Sequence, residues 1–205
     1  MKYDPEKHHR RSIRLRGYNY TQPGAYFVTL VTQDRMPLFG KIIDGRMQLS
    51  RFGNIVDMIW RRLPHHFRHI RLDEYVVMPN HFHGIIWIVR DKTGNKTVGA
   101  RHSQDETCIG IPHNYCHLQN PQNFPGNASP QRPTGAPSGS LGALIGNFKS
   151  ISTRRINGIR RTPGARVWQR NYYERIIRDQ QELNAIRQYI IDNPRQWLQD
   201  REFGK

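Results

Sequence analysis

His81, Phe82 and His83 carry the most chemical information of any three residues in this 205-residue chain. On a strand, side chains alternate between faces, so the two imidazoles point one way and Phe82 the other. Imidazoles at alternate strand positions, about 7 Å apart along the backbone, can converge on one divalent ion. Phe82, with Ile86 and Ile88 on its side, would face the core and keep that strand rigid. The competing reading is a chance pair on a polar face of a chain with ten histidines. A third ligand decides between them.

Tyr189 and Asn193 offer one. Four residues apart, they share a helical face beside the apolar stripe of Leu183, Ile186 and Ile190. A phenol can attack a phosphodiester and leave a covalent phosphotyrosine, but its ordinary pKa of about 10 calls for a cation or base near the phosphate. The Asn193 side-chain carbonyl suits Mg²⁺ or Mn²⁺. The plainer alternative is that Tyr189 packs at the edge of the stripe and that Asn193, before Pro194, ends the helix. Tyr172 and Tyr173 are rival nucleophiles; adjacent on a strand, only one of them can face the histidines.

The elements that must position these groups are legible in outline. Ala25–Thr32 reads as a strand after Pro23-Gly24, and Leu38–Ile43 and Arg46–Leu49 as a hairpin around Asp44-Gly45. Phe52, Ile55, Val56, Ile59, Trp60 and Leu63 follow helical spacing, with Pro64 as the expected stop. Arg71–Met78 and His81–Val89 read as strands around Pro79-Asn80. Leu141, Leu144, Ile145, Phe148 and Ile151 form a helix behind a Ser140 cap, with Gly158 as its expected end. Asp179 opens the last helix with Glu182 three residues on, and Asn193-Pro194 is expected to close it. The order implies an α+β fold, a mainly antiparallel sheet with helices on one face.

Composition narrows the partner. Lys and Arg total 32 against 16 Asp and Glu, a formal charge of +16, which favours a polyanion. Residues 1–90 hold 15 basic and 7 acidic side chains (+8), residues 91–140 hold 4 and 3 (+1), and residues 141–205 hold 13 and 6 (+7). The near-neutral stretch 91–140 carries 6 of the 13 prolines and reads as a flexible insertion, so 1–90 and 141–205 together make one domain. Within 91–140, Cys108, His113, Cys116 and His117 resemble a zinc knuckle, but adjacent ligands suit a tetrahedral site poorly. In the first flank, Arg10, Arg11, Arg14 and Arg16 precede Tyr18 and Tyr20, a mixture suited to phosphate contact and base stacking. Lys149, Arg154 and Arg155 offer a second basic strip. No long apolar run or secretory leader is expected, and two cysteines fit a reducing, cytoplasmic setting without a membrane.

Several segments in order then resemble one family. VVMPNHFHGII (76–86) is similar to the histidine–hydrophobe–histidine element of the single-tyrosine HUH transposases, and YIIDNP (189–194) to their tyrosine helix. WQRNYYERIIR (168–178), YFVTLVTQDRMPLFG (26–40) and GSLGALIGNFKS (139–150) are similar to segments of the REP-associated tyrosine transposases. The resemblance implies a ferredoxin-like sheet and an enzyme, a transposase that nicks and rejoins single-stranded DNA next to short palindromic, REP-like hairpins. His81 and His83 would hold a divalent ion, Mg²⁺ or Mn²⁺, with Asn193 at the third-ligand position. Tyr189 would be the nucleophile, retaining a 5′-phosphotyrosine and releasing a 3′-hydroxyl. Where many relatives carry an Asp- or Glu-His pair, this chain has Glu174-Arg175, so Arg175 offers a phosphate contact in place of a proton carrier. Relatives that exchange their tyrosine helix act as homodimers, others alone. A non-catalytic DNA or RNA hairpin-binding protein and a metal-dependent phosphodiesterase that uses water are the alternatives.

Overall fold

In a computed structural model, residues 15, 17–89 and 135–197 are described. The insertion is therefore described only at its last residues; the cysteine–histidine group and Arg10, Arg11, Arg14 and Arg16 lie outside the described residues. Six strands and three α-helices follow in the order β1 (Gly24–Val31), β2 (Gly40–Ile43), β3 (Arg46–Leu49), α1 (Arg51–His66), β4 (Ile70–Val77), β5 (His81–Ile88), α2 (Leu141–Arg160), β6 (Tyr173–Ile177) and α3 (Gln180–Gln196). β2 and β3 form a separate hairpin. Its Asp44-Gly45 turn has positive φ at both residues, 50° and 69°, as a primed turn requires.

The main sheet runs β4-β5-β1-β6, antiparallel throughout. With α1 between β1 and β4 and α2 between β5 and β6, this is the βαββαβ ferredoxin-like arrangement expected from the sequence. Strands of both basic flanks pair in this one sheet, β1 with β6.

Alternation along β1 and β5 divides the apolar residues between two layers. Tyr26, Val28, Leu30, Phe82, Ile86 and Ile88 pack under α1 and α2 with Trp60, Leu63, Leu144 and Phe148. Trp60 is fully buried, its ring 4.5 Å from that of Phe82 and 5.3 Å from that of Phe148. Gly84 makes the room: a Cβ there would lie 2.6 Å from the Trp60 ring. Ala25, Phe27, Ile85 and Ile177 face the other way and meet Leu183 and Ile190 of α3. The helices therefore cover both faces, a correction to the single helical layer expected from element order; the odd-numbered residues of β1 and β5 are apolar enough to need their own cover.

Helix ends differ from expectation in three places. Pro64 and Pro194 lie inside α1 and α3, near their ends, where a proline removes one hydrogen bond while its fixed φ remains helical. α2 passes Gly158 and ends on Arg161 in the left-handed region, φ 55°. The starts agree: Ser50 Oγ accepts from the amides of Phe52 and Gly53, Ser140 Oγ from Ala143, and Asp179 Oδ1 from Glu182.

Candidate active site

β5 begins at His81, directly after the turn that joins it to β4, and its alternation sends His81 and His83 to the α3 face. Both imidazoles are buried, with ring centroids 4.6 Å apart. Each is oriented through Nδ1. His81 Nδ1 lies 2.8 Å from Asn80 Oδ1, an acceptor that requires an Nδ1–H and leaves the lone pair on Nε2. His83 Nδ1 lies 2.8 Å from Thr29 Oγ1, its partner across the β1–β5 register. Phe27 stacks on His83 at 5.5 Å, and Trp197, just past α3, stacks on His81 at 5.7 Å.

The tyrosine helix completes the group. Tyr189 Oη lies 3.4 Å from His83 Nε2, and the two rings are 5.2 Å apart. Thr29 Oγ1 and Tyr189 Oη thus engage the two nitrogens of His83; in the tautomer with Nδ1–H on Thr29, the phenol donates to the Nε2 lone pair. Tyr189 stays 39% exposed, open to a substrate, while Asn193 one turn on is buried and close enough to His81 to act on its imidazole. The four residues singled out by spacing therefore meet, His81 and His83 from one flank and Tyr189 and Asn193 from the other.

The electrostatics keep the imidazoles neutral. Burial pushes His81 down to about 3, against a smaller upward effect of the Asn193 side chain; the positive charge of Arg35 pushes it further down. Burial, then neighbouring His81, holds His83 well below the ordinary imidazole range. Such groups make poor bases and good ligands for a cation. Among the described residues, no three His, Cys, Asp or Glu side chains cluster to hold an ion. The donor set here would suit one differently: two neutral imidazoles oriented by hydrogen bonds at Nδ1, and an amide as third donor.

The other candidates are placed apart or otherwise engaged. Tyr173 lies on β6 with its ring 6.3 Å from that of Phe27, on the histidine side of the sheet. Arg175 shares that face, exposed and ion-paired with Glu182 of α3. A cavity of about 710 Å³ between β6 and α3 is lined in part by Tyr20, Tyr173, Arg175, Arg178 and Glu182. Arg154 and Arg155 are exposed on α2, across the sheet from the histidines. Lys149 turns inward: Nζ donates to the carbonyls of Gln169 and Arg170 at 2.6 and 3.0 Å, and burial pushes it down to about 8.

Four residues of the site escaped the sequence reading: Thr29, Asn80, Arg35 and Trp197. Asn80 had a local signal, since it directly precedes His81. Thr29 is identified by strand register. Arg35 ends a short 3-10 turn (Gln33–Arg35) with φ 54°, following Asp34 at φ 55°, an uncommon pair of left-handed residues beside a site.

The sheet order and its helices define the fold of the REP-associated tyrosine transposases. A solved REP-associated tyrosine transposase, bound to a REP hairpin, superposes with a TM-score of 0.52 at 14% identity, covering 89% of this chain and 73% of that one. The chain itself belongs to one family with an uncharacterized protein of Haemophilus influenzae, 38% identical over 200 residues, 98% of this chain and 96% of the relative. A second solved structure, from Deinococcus radiodurans R1, is 15% identical with 87% and 95% of the two chains covered; its TM-score of 0.41 is too low to carry an argument. No family model matches the chain. No helix among the described residues is long and apolar enough to cross a membrane.

Proposed function

We propose that this protein is a transposase-type enzyme that cuts and rejoins single-stranded DNA beside a hairpin, through a tyrosine ester. The observation that carries the reading is the contact of the Tyr189 hydroxyl with His83, on the face where His81 and Asn193 also meet. Tyr189 Oη gives up its proton to solvent and attacks phosphorus, the bond from phosphorus to the 3′ oxygen breaks, and that oxygen departs as a 3′-hydroxyl with a proton from solvent. The 5′-phosphate remains on Tyr189. Attack by a second 3′-hydroxyl reverses the step and regenerates the phenol, so the bond is conserved without ATP.

His83 does not serve as the base. An imidazole held well below its ordinary range gains little by taking a proton from a phenol of pKa about 10. The same Nε2 that meets Tyr189 would, with His81 and Asn193, hold Mg²⁺ or Mn²⁺, the phenol then giving up that contact. Bound there, the ion would supply positive charge to the scissile phosphate and its transition state. The hairpin part of the reading is carried over from the solved neighbour, whose structure holds a REP hairpin. The +16 charge agrees with a polyanionic substrate.

The test is a hairpin oligonucleotide with a single-stranded flank, incubated with Mg²⁺ or Mn²⁺. Wild type is expected to give a protein–DNA adduct that survives denaturation. His81→Ala, or a chelator, should remove the adduct while DNA binding persists. Cleavage without an adduct would favour a phosphodiesterase that uses water. Binding without cleavage, indifferent to His81→Ala, would favour a hairpin-binding protein.

A further inference from the structure

The apolar patch under α3 is small: Leu183, Ile190 and half-buried Ile186 rest on Ala25, Phe27, Ile85 and Ile177, with Val76 and Trp87 beside them. A smooth patch of this size leaves a helix free to slide or roll, and one residue of α-helix is about 1.5 Å of rise and 100° of turn. A bidentate polar contact adds a constraint on that motion. Arg187, two residues before Tyr189, grips Asp73 with both arms of its guanidinium: Nε to Oδ1 at 2.8 Å and Nη2 to Oδ2 at 2.7 Å. A bidentate pair fixes orientation as well as distance.

Asp73 is itself immobilised from the sheet. It sits where the β4–β5 register shifts between Leu72 and Tyr75, an irregularity of the kind that re-aims a side chain. Oδ1 also accepts from the Glu74 amide at 2.8 Å, and Oδ2 from Trp87 Nε1 at 2.8 Å. Trp87 belongs to β5, on the same face of the strand as His81 and His83. The carboxylate thus ties the tyrosine helix to the strand that bears the histidines.

We propose that Asp73, held by Trp87 and gripping Arg187, is a positioning residue that sets the register of α3 on the sheet and so the approach of Tyr189 to His83. Asp73 touches no reacting atom; it acts through the helix. The catalytic consequence rests on the reading of Tyr189 as nucleophile, whereas the structural one does not.

The experiment uses the full chain with 3-fluorotyrosine at position 189, followed by ¹⁹F NMR, in parallel with single-turnover adduct formation. In the parent chain the fluorine lies among the rings of His83 and Phe27 and should give one resonance displaced from free fluorotyrosine. Asp73→Asn and Arg187→Gln should each move or broaden it toward the free position. They should also slow adduct formation roughly 10- to 100-fold, because misplacement by about 1 Å costs that much, with DNA affinity unchanged. Arg187→Lys, keeping charge with one contact, should fall between. Asp57→Asn, which breaks the Asp57–Arg61 pair on α1, should leave both readings unchanged. Arg187 is partly exposed, so its variants keep the test open should Asp73→Asn fail to fold. An unmoved resonance in folded Arg187→Gln overturns the proposal. A moved resonance in a protein that never forms an adduct keeps the positioning role and overturns the nucleophile.

Discussion

The two faces of the sheet divide the work of the molecule. Under α1 and α2, twenty buried apolar residues among those described form one cluster in which large rings interlock. Under α3 six do, and the remaining area is occupied by His81, His83, Thr29 and Asn193. The first face holds β5 in place with nonpolar contact, which needs no partner. The second must satisfy the polar groups it buries, and hydrogen bonds at Nδ1 fix the orientation of both imidazoles. The proposed chemistry sits on the thinly packed face, and rigidity is supplied from behind through the shared strands.

That division can be broken from either side. The largest effect is expected from Tyr189→Phe, which removes the adduct completely in a denaturing gel while shifting the unfolding midpoint by less than the equivalent of about 0.5 kcal/mol, as for other part-exposed sites. Trp60→Ala should do the reverse: about 3–5 kcal/mol of stability lost in denaturant titration, with the chemistry affected only through unfolding. Gly84→Ala pushes a methyl toward the Trp60 ring and should cost about 1–3 kcal/mol by the same titration. A fall in stability below about 0.5 kcal/mol would mean that Trp60 relaxes and that the packed face is softer than drawn.

Acid provides the most selective probe. His81 is neutral in the fold down to about pH 3, but in the unfolded chain it takes a proton near pH 6.5. The unfolded state therefore binds more protons throughout that window, and stability falls as the pH falls through it, by at most about 1.4 kcal/mol per pH unit for each such histidine. His83, shifted in the same direction, adds to this slope. Asp73 contributes lower down: its Arg187 hydrogen bond holds it at about 2, so its stabilisation is present above the ordinary carboxylate range and is lost as pH falls toward 2. Unfolding midpoints measured between pH 7 and pH 4 should show the slope, and His81→Asn should flatten it.

What the sequence revealed follows the same division. Local periodicity suffices for His81 and His83 on one strand face and for Tyr189 and Asn193 on one helix face, and all four meet. The α+β class and a mainly antiparallel sheet were legible from strand and helix signals, whereas the ferredoxin-like order came from the family resemblance. Long-range choices were not legible. Thr29 meets His83 only through the β1–β5 register, and the site of α3 depends on which apolar patch it covers. Pro64 and Pro194 read as helix stops because a local rule weighs one lost hydrogen bond, whereas packing of Leu63 and Asn193 holds the helices past them. Lys149 read as a surface cation because nothing nearby in sequence announces the carbonyls of Gln169 and Arg170.

The central claim is that Tyr189 is the residue that becomes joined to DNA, and peptide mapping of the adduct tests it most directly. Trypsin separates the rivals, since Tyr189 lies in the peptide Gln188–Arg195 and Tyr172 and Tyr173 lie together in Asn171–Arg175. After nuclease trimming, mass spectrometry should find the nucleotide remnant on Gln188–Arg195. A remnant on Asn171–Arg175, with Gln188–Arg195 unmodified, would contradict the account.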